Sequence, residues 1–169
     1  GFSARAEDEY SVALGGGAVA LGQSSYAMGN NAQARDFDVA IGAAALIGST
    51  GSAQTTAIGY QAGANSTLVA QSTFVGFAAG AQSSGTSNAF VGSRAGAQSA
   101  GDFNVANGTF ALAGANGDHN IAQGNGAGAL VTGDDNVAIG RQAGTLTTFA
   151  ADGTPAVLTP AAFSETVSI

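Results

Sequence analysis

The sequence predicts an all-β fold, a parallel β-solenoid of about nine short two-stranded coils, and three observations predict it. First, a Gly closing a short apolar tripeptide recurs nine times, as VALG, YAMG, VAIG, TAIG, TFVG, AFVG, VANG, IAQG and VAIG, ending at Gly15, Gly29, Gly42, Gly59, Gly76, Gly92, Gly108, Gly124 and Gly140. The spacings are 14, 13, 17, 17, 16, 16, 16 and 16 residues, and self-similarity at a fixed period of this size is the mark of a repeat architecture. Second, the residue three positions after each of these glycines is Ala in every unit: Ala18, Ala32, Ala45, Ala62, Ala79, Ala95, Ala111, Ala127 and Ala143. Third, the tripeptides alternate larger and smaller residues with the period of a strand, while a Gly every few residues disfavours helix.

The first element of each unit is the tripeptide itself. Val39 and Ile41 share one face and Ala40 takes the other. The second is a short segment after the Gly, exemplified by Ala18 and Ala20, with small residues on its inner face; the position of Ala20 is Ala in seven units, Ile47 and Thr145 being the exceptions. Two strands closing on themselves in about 16 residues leave a thin interior, which the Ala column is sized to fill. At about 4.8 Å per coil, nine coils make a rod of roughly 43 Å.

Turns follow. Gly85, Gly101, Gly117 and Gly133 stand seven residues before the next anchor Gly, and Asn88, Asn104, Asn120 and Asn136 stand four before it. Gly supplies left-handed backbone at a reversal, and stacked Asn side chains are suited to bonding from rung to rung. Ser99, beyond the Ala column, reads as a turn residue that tolerates change.

The larger residues of the tripeptides do not fit a thin interior. Val12, Leu14, Val39, Ile41, Val105, Ile121, Val137 and Ile139 are therefore expected to form an apolar stripe along the rod, an association surface on any single chain. Asn107 and Gln123 interrupt that stripe, where other units carry Leu, Met, Ile or Val. Where copies pack against one another they would place two layers of amides, read as fixing register or holding water in preference to a specific ion.

After Thr145 the repeat stops. Pro155 and Pro160 exclude a central strand and Asp152-Gly153 signals a turn, so 1–145 reads as the repeat region and 146–169 as an insert, loop or hairpin, followed by the start of a further repeat. Val167, Ser168 and Ile169 restore the anchor pattern, which places the next anchor Gly at position 170 and Val167 as the rung after Val137.

Composition narrows the function. The 169 residues include 27 Gly, 2 Pro and no Cys, with 9% charged residues and a formal net charge of -7. Arg5, Arg35, Arg94 and Arg141 are scattered singly, so there is no basic stripe for nucleic acid. There are no thiolate sites, and no apolar run of about 18 residues for a membrane helix. No Ser, His and acid grouping recurs and no phosphate-binding Gly loop with Lys is present, so the chain does not read as an enzyme, and no cofactor is expected.

Units such as YSVALGGGAVALG, from Tyr10 to Gly22, and DNVAIGRQAG, from Asp135 to Gly144, resemble the head repeat of YadA-like trimeric autotransporter adhesins, over about residues 9 to 145. The resemblance implies a left-handed parallel β-roll assembled as a homotrimer, displayed as the exposed head on a bacterial cell surface and anchored in the outer membrane only through regions outside these residues. It also implies adhesion to host cells or extracellular matrix, a virulence role. The 16- and 17-residue units depart from a repeat of about 14 common in that family, and the extra residues are placed in the turn before the Asn.

Bland readings compete at each candidate site. His119 shares a turn column with Ser87, Phe103 and Asp135 and reads as an exposed loop residue; a histidine-using β-helix acyltransferase would need a six-residue period, which is absent. Asp102, Asp118 and Asp134 fall in one column and are weak metal candidates, with turn-forming aspartates the preferred reading. The functional alternative is a passive solenoid of another class, a structural spacer or an ice-binding repeat. The latter needs a flat Thr column, and Thr50, Thr55, Thr56, Thr67 and Thr73 do not form one.

Overall fold

The computed structural model describes residues 2–144 and two short strands at 147–149 and 155–157. Among the described residues there is no helix, and the chain is a parallel β-solenoid. Nine anchor strands form one sheet: β2 (Val12–Leu14), β4 (Tyr26–Met28), β6 (Val39–Ile41), β7 (Thr56–Ile58), β8 (Thr73–Val75), β9 (Ala89–Val91), β10 (Val105–Asn107), β11 (Ile121–Gln123) and β12 (Val137–Ile139). Successive strands pair in parallel with equivalent residues facing, Val105 with Ile121 and Asn107 with Gln123 for example, so the stack makes eight turns.

The expected second strand exists only at the start of the rod. β1 (Arg5–Ala6), β3 (Val19–Ala20) and β5 (Gln33–Ala34) form a three-stranded parallel sheet, and it ends there. From the coil of Gly42 onward the segment becomes a run of overlapping turns. Ala45, Ile47 and Ser49 donate their N–H groups to the carbonyls of Gly42, Ala44 and Leu46, each three residues back. Ala44, Leu46 and Gly48 have φ of 56, 52 and 66°, as the third residue of a type II turn requires. The two-stranded description of these later coils is thus corrected. Their extra residues extend this run and lie before the Gly of the Gly85 column, upstream of the turn in which they were expected. One-residue bridges continue the stack beyond the run, from Thr50 to Thr67, Ser84, Ala100, Asn116 and Thr132.

Between the nine-stranded sheet and the turn run lies the interior. Ala18, Ala32, Ala45, Ala62, Ala79, Ala95, Ala111 and Ala127 are wholly buried, and Ala143 packs against the same cluster half-buried. The interior also admits larger groups than an Ala column suggests. Phe74 and Phe90, in the middle of β8 and β9, are fully buried and stacked with centroids 5.6 Å apart. They fit because Gly80 and Gly96 lie across from them; a Cβ at Gly80 would come within 2.5 Å of the Phe74 ring. Where the strand contributes Ala40 or Ala106, the position across from it carries buried Leu46 or Leu112. Where both sides of a coil are small, as at Ala57 with Gly63 or Ala122 with Gly128, Leu46, Phe74 or Leu112 of a neighbouring coil fills the space, so the packing stays close without a single repeated residue.

The anchor glycines serve the stack itself. Gly92 has φ of 133°, and a Cβ on it would stand 2.6 Å from the carbonyl oxygen of Gly108 in the next coil. Backbone approach at rung spacing leaves no room for a side chain. β13 (Thr147–Phe149) and β14 (Pro155–Val157) pair antiparallel, Thr148 opposite Ala156. The expected return of Val167 to the rod concerns residues outside those described.

Candidate functional site

On the outer face of the nine-stranded sheet the first and third strand residues form two columns. Val39 is half-buried, and Ile41, Val105, Asn107, Ile121, Gln123, Val137 and Ile139 are exposed on the single chain. Parallel in-register pairing puts them one above another. Asn107 sits between Val91 and Gln123, and Gln123 between Asn107 and Ile139, so two successive polar rungs break the column made by Leu14, Met28, Ile41, Ile58, Val75 and Val91. Thr56, Thr73 and Ala89 form a smaller, more polar middle section in the other column.

The edge of this face is fixed by two ladders of side chains bonded to backbone. Asn104 Oδ1 accepts the Asn120 N–H at 2.9 Å, and Asn104 Nδ2 donates to the Gly117 carbonyl at 2.9 Å. Asn88 and Asn120 repeat both bonds toward the coil above each of them. Most of these amides therefore bond the next rung's main chain, with a side-chain pair between Asn136 and Asn120. Asp118 Oδ1 accepts the Asp102 N–H and Asp134 Oδ1 the Asp118 N–H, each at 2.8 Å; Asp102 Oδ1 accepts the Thr86 N–H at 2.7 Å. These carboxylates cap turns. Among the described residues no cluster of three or more metal-ligating side chains occurs.

His119 is exposed and stacks on Phe103, centroids 5.1 Å apart. Ser99 is buried, with Oγ donating to the Gly96 carbonyl at 2.7 Å, so its reading as a tolerant turn residue is corrected. It belongs to a column with Ser49, Ser66 and Ser83, each buried and bonded to a carbonyl of the turn run. Three alternating turns leave those carbonyls pointing inward, and a hydroxyl is the smallest side chain that can satisfy them.

Asp38 was not singled out in the sequence, yet it is the most unusual charge in the rod. It occupies the Asn column, four residues before Gly42, and is fully buried. Its Oδ1 accepts the Thr55 N–H at 2.9 Å and its Oδ2 the Arg35 N–H at 3.0 Å. Burial pushes its carboxyl above the ordinary aspartate range; the two N–H groups, the Ser52 hydroxyl and the charge of Arg35 oppose that rise without cancelling it. Aligning the columns would have flagged it, since every Asn column position holds a buried or bonded polar residue.

Asp38 lies at a seam. The coil from Gly29 to Gly42 has 13 residues and the next has 17, and beside the mismatch a cavity of about 290 Å³ opens among Leu21, Gly22, Arg35, Asp36, Gly51 and Ser52. Arg35 and Asp36 give it one charge of each sign. No protein-family model matches this chain, and no curated protein matches it either.

Proposed function

We propose that the chain is an adhesion module, the head of a homotrimeric protein on a bacterial surface, three left-handed rolls packed through their nine-stranded sheets. The observation that carries this reading is the exposed apolar face of that sheet. Leu14, Ile41, Ile58, Val91, Val105, Ile121, Val137 and Ile139 all face outward in two straight columns. Over eight rung spacings of about 4.8 Å such a face runs roughly 38 Å, and its burial is favourable by about 25 cal/mol per Å². Packing three copies about one axis covers it in all of them at once, with closed symmetry. Asn107 and Gln123 then supply two rings of amides that favour one axial register over a slipped one.

A rod of this kind has stiffness and an outer surface that three chains present identically, which suits binding of a host cell-surface or matrix component. Membrane anchoring belongs to regions outside these residues. Light scattering on the purified chain should give three times the chain mass. Replacing Ile41 and Ile139 together with Asp should give monomers or unfolded chain, and a double variant that stays trimeric with unchanged melting overturns the assembly. Binding to an array of matrix proteins and glycans tests adhesion; a trimer that binds none of them is a spacer.

A further inference from the structure

A groove of about 750 Å³ runs along the turn run, on the opposite side of the interior from the apolar sheet. The interior fixes that opposition, because the sheet's Phe90 and the turn run's Gly96 meet across it. Ala81, Ala97, Ala113 and Ala129 form the floor, one per rung. Small residues at rung spacing make it shallow and even.

One wall carries Phe77, Arg94 and Phe110, and Tyr60, outside the groove, extends the stack from Phe77. Tyr60 stacks on Phe77 with centroids 5.4 Å apart, and the Arg94 guanidinium lies 5.6 Å from the Phe77 centroid and 5.5 Å from that of Phe110. All four side chains are exposed. Among the described residues Arg94 has no acidic partner, and no Asp or Glu lines the groove. Held between two rings, the guanidinium keeps a fixed plane, and its N–H edge is the matching fork for a carboxylate. The facing wall carries amides, with Gln98 Nε2 donating to Gln82 Oε1 at 3.1 Å.

Three properties select among ligands. A single cation in a chain of net charge -7 does not hold a densely charged polyanion, which needs a row of cations. The floor's backbone is already committed: Ala97 N–H bonds Arg94 O, Gln98 N–H bonds Ala81 O and Gly114 N–H bonds Ala97 O, so no free edge pairs with an extended peptide. Exposed aromatic faces beside amides suit sugar rings, whose C–H faces pack on the rings while their hydroxyls bond the amides.

We infer that this groove binds a polysaccharide segment bearing an isolated carboxylate, with the carboxylate on Arg94 and sugar rings on Phe77 and Phe110. The inference deepens the adhesion reading by naming a ligand class, but the groove is complete within one chain. Calorimetric titration of the whole chain would use two carboxylated probes, a hyaluronan oligosaccharide and a sialylated oligosaccharide, with the carboxyl-reduced form of each and a poly-glutamate peptide. At least one carboxylated probe should bind, its reduced form about tenfold or more weakly, and Arg94→Gln should lose the same factor with unchanged melting. Phe110→Ser should weaken both the acid and the reduced form. Binding of no carboxylated probe, undiminished binding by Arg94→Gln, or preference for poly-glutamate each overturns the inference. Mass measured on the same samples separates the two readings: a trimer that binds no probe sinks the groove alone, and a monomer that binds sinks the trimer alone.

Discussion

Asn104 holds the coil above it with both ends of its side chain, accepting the N–H of Asn120 and donating to the carbonyl of Gly117. Truncation to Ala strands the buried N–H of Asn120 and the part-buried carbonyl of Gly117, a lost buried partner costing about 1–3 kcal/mol. Thermal or denaturant melting of Asn104→Ala should therefore show a loss of about 2–4 kcal/mol in the two-state approximation. Asn136→Ala should lose less, because Asn136 Nδ2 bonds Gly133, Asp134 and Asn120 at a more open position. Equal losses would mean that the upward bonds do not matter.

The volume exchange across the interior predicts a rescue. Phe90→Ala alone opens a cavity and should cost about 3–5 kcal/mol. Gly96→Leu alone forces a side chain into the Phe90 ring. The double variant recreates the pairing of Ala106 with buried Leu112, whose φ of 50° shows that Leu is accommodated at this turn position. Melting of the double variant should lie well above the sum of the single losses; additive losses would contradict the complementarity.

Ser99 and Ala97 lie two residues apart and face opposite ways. Ser99→Leu overpacks a buried column and breaks the bond to Gly96, so a loss of about 2 kcal/mol or more is expected. Ala97→Leu projects into the groove and should change melting little. Equal destabilisation would move Ala97 into the interior.

Asp38 makes stability depend on pH. Its folded-state pKa is raised by burial, so its contribution is fully present below the unfolded aspartate value and is lost as pH rises through the folded value. The protein should thus gain stability on mild acidification relative to Asp38→Asn, in which Oδ1 still meets Thr55 N–H but nothing titrates. The measurement is the difference in melting between the two chains from neutral pH down to the aspartate range. A constant difference would show that Asp38 is not the source.

Much of this architecture is legible as columns. The anchor strands, their register and the fully buried Ala positions follow from spacing alone, because stacked coils force equivalent residues into equivalent surroundings. The turn run was not legible. Leu46, Ala78, Arg94, Gln98 and Phe110 adopt positive φ without being Gly, which local preference disfavours, and only the bonds to neighbouring coils hold them there. The inward position of Phe74 and Phe90 was hidden for a related reason. Their companions, Gly80 and Gly96, look like ordinary turn glycines until the two sides of a coil are read together. Asp38 was not legible because a column shows itself by recurrence, and an acid stands in this column once.

The seam beside Asp38 gives the rod a fracture plane. Hydrogen bonds between coils run along the rod axis, so a pull along that axis loads the bonds of one interface as springs in parallel and the interfaces as springs in series. Rupture then begins at the interface with the fewest springs. Between the 13- and 17-residue coils, Gln33 and Val39 bond upward to Ala45 and Thr55, but the stretch from Leu46 to Ala53 faces a shorter neighbour and gains from it only two side-chain bonds, from Gln33 at Gly48 and from Asp38 at Ser52. Under tension the chain parts there before it parts at any interface among the 16- and 17-residue coils, which carry more bonds from coil to coil, leaving those coils with their Asn ladder intact as a single stiff block.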